Sequence, residues 1–154
     1  MSKHIAKINW SRDGAIFSDA KYSRGHLISF DGGVSIAGSS NPEGVRPPLS
    51  KVDAADPEEL LVAAVASCHM LWFLDFTRKA GFVINSYEDN PHGRLGKDED
   101  GVIRITLVTL VPKAEFEGKA PTKSELEELH HKAHETCFIA NSLKCPVVVE
   151  LEAE

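Results

Sequence analysis

Two cysteines with ionisable neighbours raise the question of chemistry in this chain. Cys68 is flanked by Ser67 and His69, and Cys137 follows His130, His134 and Glu135. An unpaired cysteine usually packs as a small hydrophobe, but a plain core carries no such polar company. Two thiols brought together support redox chemistry: one thiolate attacks a peroxide, and the other resolves the resulting sulfenic acid as a disulfide. A second chemistry is open. His130, His134 and Cys137 stand at i, i+4 and i+7 and share a helix face. With Cys68 or His69 they could form a tetrahedral zinc site. No CxxC or HExxH pattern supports that reading. Cys145, just before Pro146, reads as a bystander.

The element that must position Cys68 is the stretch 56–81, DPEELLVAAVASCHMLWFLDFTRKAG. Asp56 can cap a helix, Pro57 suits its first position, and Glu59 completes a capping box. Arg78, Lys79 and then Gly81 mark its C-terminal end. No charge falls between Leu60 and Leu74. A helix apolar all round is buried on every side, and the uncharged run is shorter than the ~20 residues of a membrane span, so it reads as a central core helix. Cys137 is expected on a second helix over 122–142, opened by a Thr122–Glu125 capping box. Its apolar face would carry Leu126, Leu129, Ala133, Cys137 and Ala140.

Around these helices the pattern is that of strands. Residues 4–10 alternate loosely, and 26–38 form a hairpin around Asp31-Gly32-Gly33. Residues 15–22 are ambiguous. The Pro- and Ser-rich stretch 39–56 reads as a long loop, of a length that is often functional. After Gly81, the segments 82–95 and 102–112 read as two strands around the turn 97–101, and 116–122 as a loop. Pro146 opens a last strand, 147–152. The order is α+β with a largely antiparallel sheet. One sheet and one amphipathic helix cover about half of the central helix, so a second chain is expected to cover the rest, as an obligate dimer with this helix near its interface.

The chain has 154 residues, 42% hydrophobic and 26% charged, as expected for a single domain, 1–154. A net charge of −6 without basic runs argues against nucleic acid. Neither a signal peptide nor a membrane segment is expected. Three cysteines without a close pair suggest a reduced, cytoplasmic protein rather than a disulfide framework.

DPEELLVAAVASCHM resembles the first cysteine signature of the OsmC/Ohr family, and AHETCFIANS resembles the second. The element order fits across essentially the whole chain. Phe138-Ile139 stand where many members have proline after the second cysteine, and His69 where many have an apolar residue. The resemblance implies an OsmC-like fold, an antiparallel sheet wrapped on two helices in an intertwined homodimer. It also implies a thiol peroxidase acting on organic hydroperoxides in oxidative-stress defence. By that resemblance Cys68 is the peroxidatic cysteine, Cys137 the resolving one and Glu58 the catalytic glutamate. The arginine that binds thiolate and hydroperoxide is Arg24, or alternatively Arg46. Leu61, Val65, His69, Met70, Trp72 and Phe138 would then supply an apolar substrate pocket. No bound cofactor is expected; an external dithiol, such as a lipoyl group on a protein or a small thiol, would reduce the disulfide. An arginine beside the thiol would lower its pKa and meet the developing alkoxide, and Glu58 could hold that arginine as a bidentate pair. His69 could aid proton transfer or hydrogen-bond at the dimer seam. A straight helix puts Glu58 about 15 Å of rise from Cys68, so either the helix bends or the site is built from two chains. The alternatives are a non-catalytic protein of the same fold that binds apolar ligands, and a zinc protein using Cys68, His134, Cys137 and a further histidine.

Overall fold

The computed structural model describes residues 2–151. The chain divides between Leu60 and Leu61 into two compact units.

The first unit is built on an antiparallel sheet in the order β1 (Ala6–Asn9), β2 (His26–Phe30), β3 (Ser35–Gly38). Ile8, Ile28 and Ile36 stand in line across it. The β2–β3 turn closes through Phe30 N–H to Val34 O (2.9 Å), with Gly33 at φ +85°, the left-handed geometry that glycine adopts without cost. The ambiguous stretch 15–22 is neither strand nor helix. It folds back so that Phe17 and Tyr22 stack at 4.7 Å, with Trp10 edge-on to both. The loop 39–56 is pinned at its ends by Ser39 N–H to Ala55 O and Ala55 N–H to Ala37 O, both 3.0 Å.

Helix α1 (Pro57–Lys79) opens at the end of the first unit and runs unbroken into the second. Its N-terminus is the expected capping box: Glu59 N–H donates to Asp56 Oδ1 (2.8 Å) and Asp56 N–H to Glu59 Oε2 (3.0 Å). Its C-terminus is a Schellman motif. Phe82 N–H reaches Thr77 O, Gly81 N–H reaches Arg78 O, and Gly81 has φ +86°. The helix has 23 residues and by length and composition could cross a bilayer. What marks it as a core helix is its packing. Val62, Val65, Ala66, His69, Phe73 and Thr77 form a buried stripe at three- and four-residue spacing. Within one chain the opposite side of the helix is open: Ala63, Ala64, Ser67 and Leu71 are exposed, Leu71 by 61%.

In the second unit the two expected strands after Gly81 are four. They are β4 (Val83–Asp89), β5 (His92–Lys97), β6 (Ile103–Leu110) and β7 (Pro112–Glu117). β4 pairs with β7, while β5 pairs with β6, so one two-stranded ribbon breaks into two sheets. The breaks fall at Asn90–Pro91 and at Val111, and Pro91 has no N–H for a ladder. At the same bend Val111 N–H leaves the ladder and donates to Asp89 Oδ1 (2.8 Å). Phe116 and Glu117, expected in a loop, extend β7. β8 (Val147–Val149) pairs with β6 in parallel, so this sheet is mixed. Residue 152, the far end of the expected last strand, lies outside the described residues.

Helix α2 (Lys123–Thr136) has the Thr122–Glu125 capping box. Two apolar clusters occupy this unit. Val65 and Ala66 pack with Val108, Leu110 and Val147, and Phe73 packs with Leu129 and Ala133 of α2, flanked by Ile84, Tyr87 and Phe116. Successive turns of α1 thus meet first the β6–β8 sheet and then α2 with β4–β7. The observed fold is α+β, two α-helices with antiparallel and mixed sheets among the described residues.

Candidate functional site

Cys68 lies on α1 beside the buried stripe and is half-buried. Cys137 is fully buried but is not on a helix, contrary to the expected helix over 122–142. α2 ends at Thr136, and Cys137 is its C-cap in extended geometry (φ −66°, ψ 108°), with its N–H on His134 O. A short 3-10 turn (Ala140–Ser142) follows. Local side chains supply the alternative to further helix: Asn141 Nδ2 donates to Glu135 O (2.9 Å) and Ser142 Oγ to Phe138 O (2.8 Å). The break turns the Cys137 thiol inward, where it donates weakly to Val65 O on α1 (4.0 Å) and accepts from Ala140 N–H (3.4 Å).

There it neighbours the Cys68 side chain, and both thiols are free. Burial pushes the Cys137 thiol above the usual thiol pKa. The N–H of Ala140 partly offsets this, and Cys68 pushes it further up. Cys137 is therefore held as a neutral thiol against its half-buried neighbour.

Beside the thiols α1 and α2 are joined by two histidines. His69 Nε2 and His130 Nδ1 are 3.0 Å apart, and the rings are parallel within 3°. His130 also stacks on Phe73 at 4.0 Å between centroids. His69 is 1% exposed and His130 4%. Burial lowers His69 to about 4, with His134 adding to the shift, and lowers His130 to about 3, with His69 adding. Both rings are neutral at pH 7, so one proton lies between them. His69 Nδ1 has no partner among the described residues. A bare acceptor costs less there than an unpaired N–H, which assigns the shared proton to His69 Nε2 as donor. His69 thus bridges two helices of its own chain. Among the described residues no three His, Cys, Asp or Glu side chains converge to hold a metal ion, so Cys68, His134 and Cys137 form no zinc ligand set.

The remaining expected site residues are placed in each unit as follows. Leu61 and Val65 pack into the first apolar cluster, and His69 is buried. Trp72 packs edge-on to Phe138 at 5.6 Å, and Phe138, next to Cys137, is 67% exposed; these two form an aromatic ledge beside the thiols. Met70 is half-buried on α1. Glu58 lies in the first turn of α1, ten residues before Cys68 on one unbroken helix, about 15 Å of rise away. In the first unit Arg24 lies over the Tyr22 ring (4.0 Å), and its Nη1 donates to the carbonyls of Ala20 (2.8 Å) and Tyr22. Among the described residues it has no ion pair with Glu58 of its own chain. Arg46 is exposed on the long loop. The aromatic setting of Arg24 escaped sequence reasoning. Its signal was Trp10, Phe17 and Tyr22 clustering in an otherwise polar segment just before an arginine.

The family model for OsmC-like proteins matches residues 50–152. A solved OsmC-like protein of unknown function from Vibrio cholerae is 47% identical, with a TM-score of 0.96, covering 99% of this chain and 100% of its own. OhrB of Bacillus subtilis, an organic hydroperoxide resistance protein, is 23% identical with a TM-score of 0.65, covering 99% and 98%. An organic hydroperoxide resistance protein from Elizabethkingia anophelis is 19% identical with a TM-score of 0.70, covering 98% and 94%. At these two identities the likeness is one of fold. No curated protein matches the chain.

Proposed function

The chain belongs to the OsmC-like protein family, and from that premise we propose that it is a thiol peroxidase that reduces organic hydroperoxides. The observation that carries this reading is the meeting of Cys68 and Cys137, one half-buried and one buried, from elements 69 residues apart in sequence. In the first step the Cys68 thiolate attacks the outer peroxide oxygen. The O–O bond breaks, the sulfur becomes a sulfenic acid, and the departing alkoxide takes a proton to leave as an alcohol. In the second step the Cys137 sulfur attacks Cys68, a disulfide forms, and hydroxide leaves as water with the Cys137 proton. Cys137 enters this step as a thiol, its pKa raised by burial, and must give up its proton as its sulfur attacks. An external dithiol, lipoyl or small, then reduces the disulfide.

Arg24 is the arginine assigned to the hydroperoxide, with Arg46 the alternative. Two carbonyls and a ring already orient Arg24, whereas Arg46 is solvated. Glu58 lies about 15 Å of helix from its own Cys68, so the site draws Glu58 from a second copy of the chain. The exposed apolar face of α1 around Leu71 supports such a homodimer. A reduced, cytoplasmic setting fits the free thiols.

The test is mass spectrometry after one equivalent of cumene hydroperoxide, on wild type, Cys68→Ser and Cys137→Ser. The expected result is a Cys68–Cys137 disulfide in wild type, sulfenic or overoxidised Cys68 in Cys137→Ser, and no reaction in Cys68→Ser. An untouched Cys68, under conditions that oxidise a free thiol, would leave the fold in place and make the protein a binder of apolar ligands.

A further inference from the structure

The first unit contains a cleft of about 460 Å³ whose walls include Trp10, Phe17, Tyr22, Arg24 and Ser40. Phe17 and Tyr22 are stacked within 16° of parallel, and Trp10 stands at 62° and 70° to them. The rings therefore make two nearly perpendicular walls. They are held rather than loose. Trp10 Nε1–H donates to Ser23 O at 2.7 Å. Ala20 sits at φ +59°, a left-handed geometry that a non-glycine residue adopts only when its surroundings impose it, and its carbonyl anchors Arg24. Despite this order the rings are not buried: Phe17 is 58% exposed and Trp10 42%.

The polar groups of the cleft are also unspent. A guanidinium has five N–H donors. Nη1 serves the Ala20 and Tyr22 carbonyls, which leaves Nε and Nη2 without partners among the described residues. Ser40 Oγ is buried and has no hydrogen-bond partner among the described residues. An exposed aromatic corner beside an oriented, unsatisfied cation matches a ligand with a flat apolar body and a small oxygen-bearing head.

We propose that this cleft makes the enzyme selective for aryl hydroperoxides, with the ring of the substrate against Trp10 and Phe17 and its peroxide oxygens on the free N–H groups of Arg24. The proposal rests on the reading of Arg24 as the hydroperoxide-binding arginine. It adds a substrate class and two specificity-determining residues. A flat ring gains over a flexible alkyl chain because aromatic contacts add to simple burial, roughly two- to tenfold in binding, and because fewer torsions are frozen.

The experiment compares kcat/KM for cumene hydroperoxide and n-nonyl hydroperoxide, which have equal carbon numbers, in wild type, Trp10→Leu and Phe17→Leu. The expected result is a preference for cumene hydroperoxide of about tenfold in wild type, which falls several-fold in each variant because the aryl substrate loses more. No aryl preference in wild type, or one that both variants retain, overturns the proposal. A second measurement separates it from the peroxidase reading. In a Trp72→Phe background, Trp10 is the remaining tryptophan, and its fluorescence reports binding of cumyl alcohol to Cys68→Ser protein. Saturable binding that Phe17→Leu weakens supports the aryl cleft even if no hydroperoxide is turned over, in which case the peroxidase reading alone fails. Absence of saturable binding overturns the cleft.

Discussion

His69 and His130 are the residues whose chemistry departs furthest from what their types suggest. Each is a base of ordinary pKa near 6.5, lowered by burial to about 4 and about 3. As pH falls below 6.5 the unfolded chain takes up protons that the folded chain refuses, so stability falls. The loss levels off only when the folded rings themselves protonate, near pH 4 and pH 3. By pH 5 the two shifts correspond to about 2 kcal/mol for each ring. Urea unfolding of wild type should therefore show a midpoint that drops between pH 7 and pH 5, above the range where ordinary carboxylates titrate. His130→Asn, which keeps a polar side chain without a titrating ring, should lose about half of that slope. An unchanged slope in the variant would show that the pair is not what sets the acid sensitivity. The positions of both histidines were visible in the sequence as polar company for the cysteines. Their contact was not, because it spans 61 residues and depends on how α2 returns to α1.

At the level of elements, local rules were reliable wherever the deciding partners are close in sequence. Both capping boxes, the glycine stop of α1 and the β2–β3 hairpin formed as their residues specify. Gly81 gives a direct check. An alanine there must hold φ +86°, so Gly81→Ala should cost about 1–2 kcal/mol in urea unfolding while leaving the far-UV spectrum unchanged; equal stability would mean that the helix end relaxes without the left-handed residue. Local rules failed where an element answers to the rest of the fold. The ribbon after α1 reads as two long strands because its β-rich pattern is continuous. It breaks because Pro91 interrupts one strand and, on the other, Asp89 captures Val111 N–H. α2 stops at Thr136 although Cys137 and Ala140 continue its apolar face, because Cys137 is drawn inward against Val65.

At the scale of the molecule, α1 still has an apolar surface to cover. Its buried stripe accounts for one side, and Ala63, Ala64 and Leu71 are exposed on the other. Removing such a surface from water contributes about 25 cal/mol per Å², which is the drive behind the proposed homodimer. Sedimentation equilibrium should find wild type dimeric and Leu71→Asp shifted strongly towards monomer, since the variant would bury an unpaired charge. A wild-type monomer at micromolar concentration would remove the second Glu58 from the site, and with it the two-chain catalytic arrangement.

The sequence alone determined the helix caps and turns, the family, and the two thiols as the residues to watch, because these are set by residue types within a few positions of one another. The tertiary structure decided that Cys137 leaves its helix to meet Cys68, that His69 pairs with His130, and that Trp10, Phe17 and Tyr22 line one cleft with Arg24, which lies over Tyr22. These contacts depend on where the backbone bends and what it buries, and no local pattern encodes the distance between side chains that only the folded chain brings together.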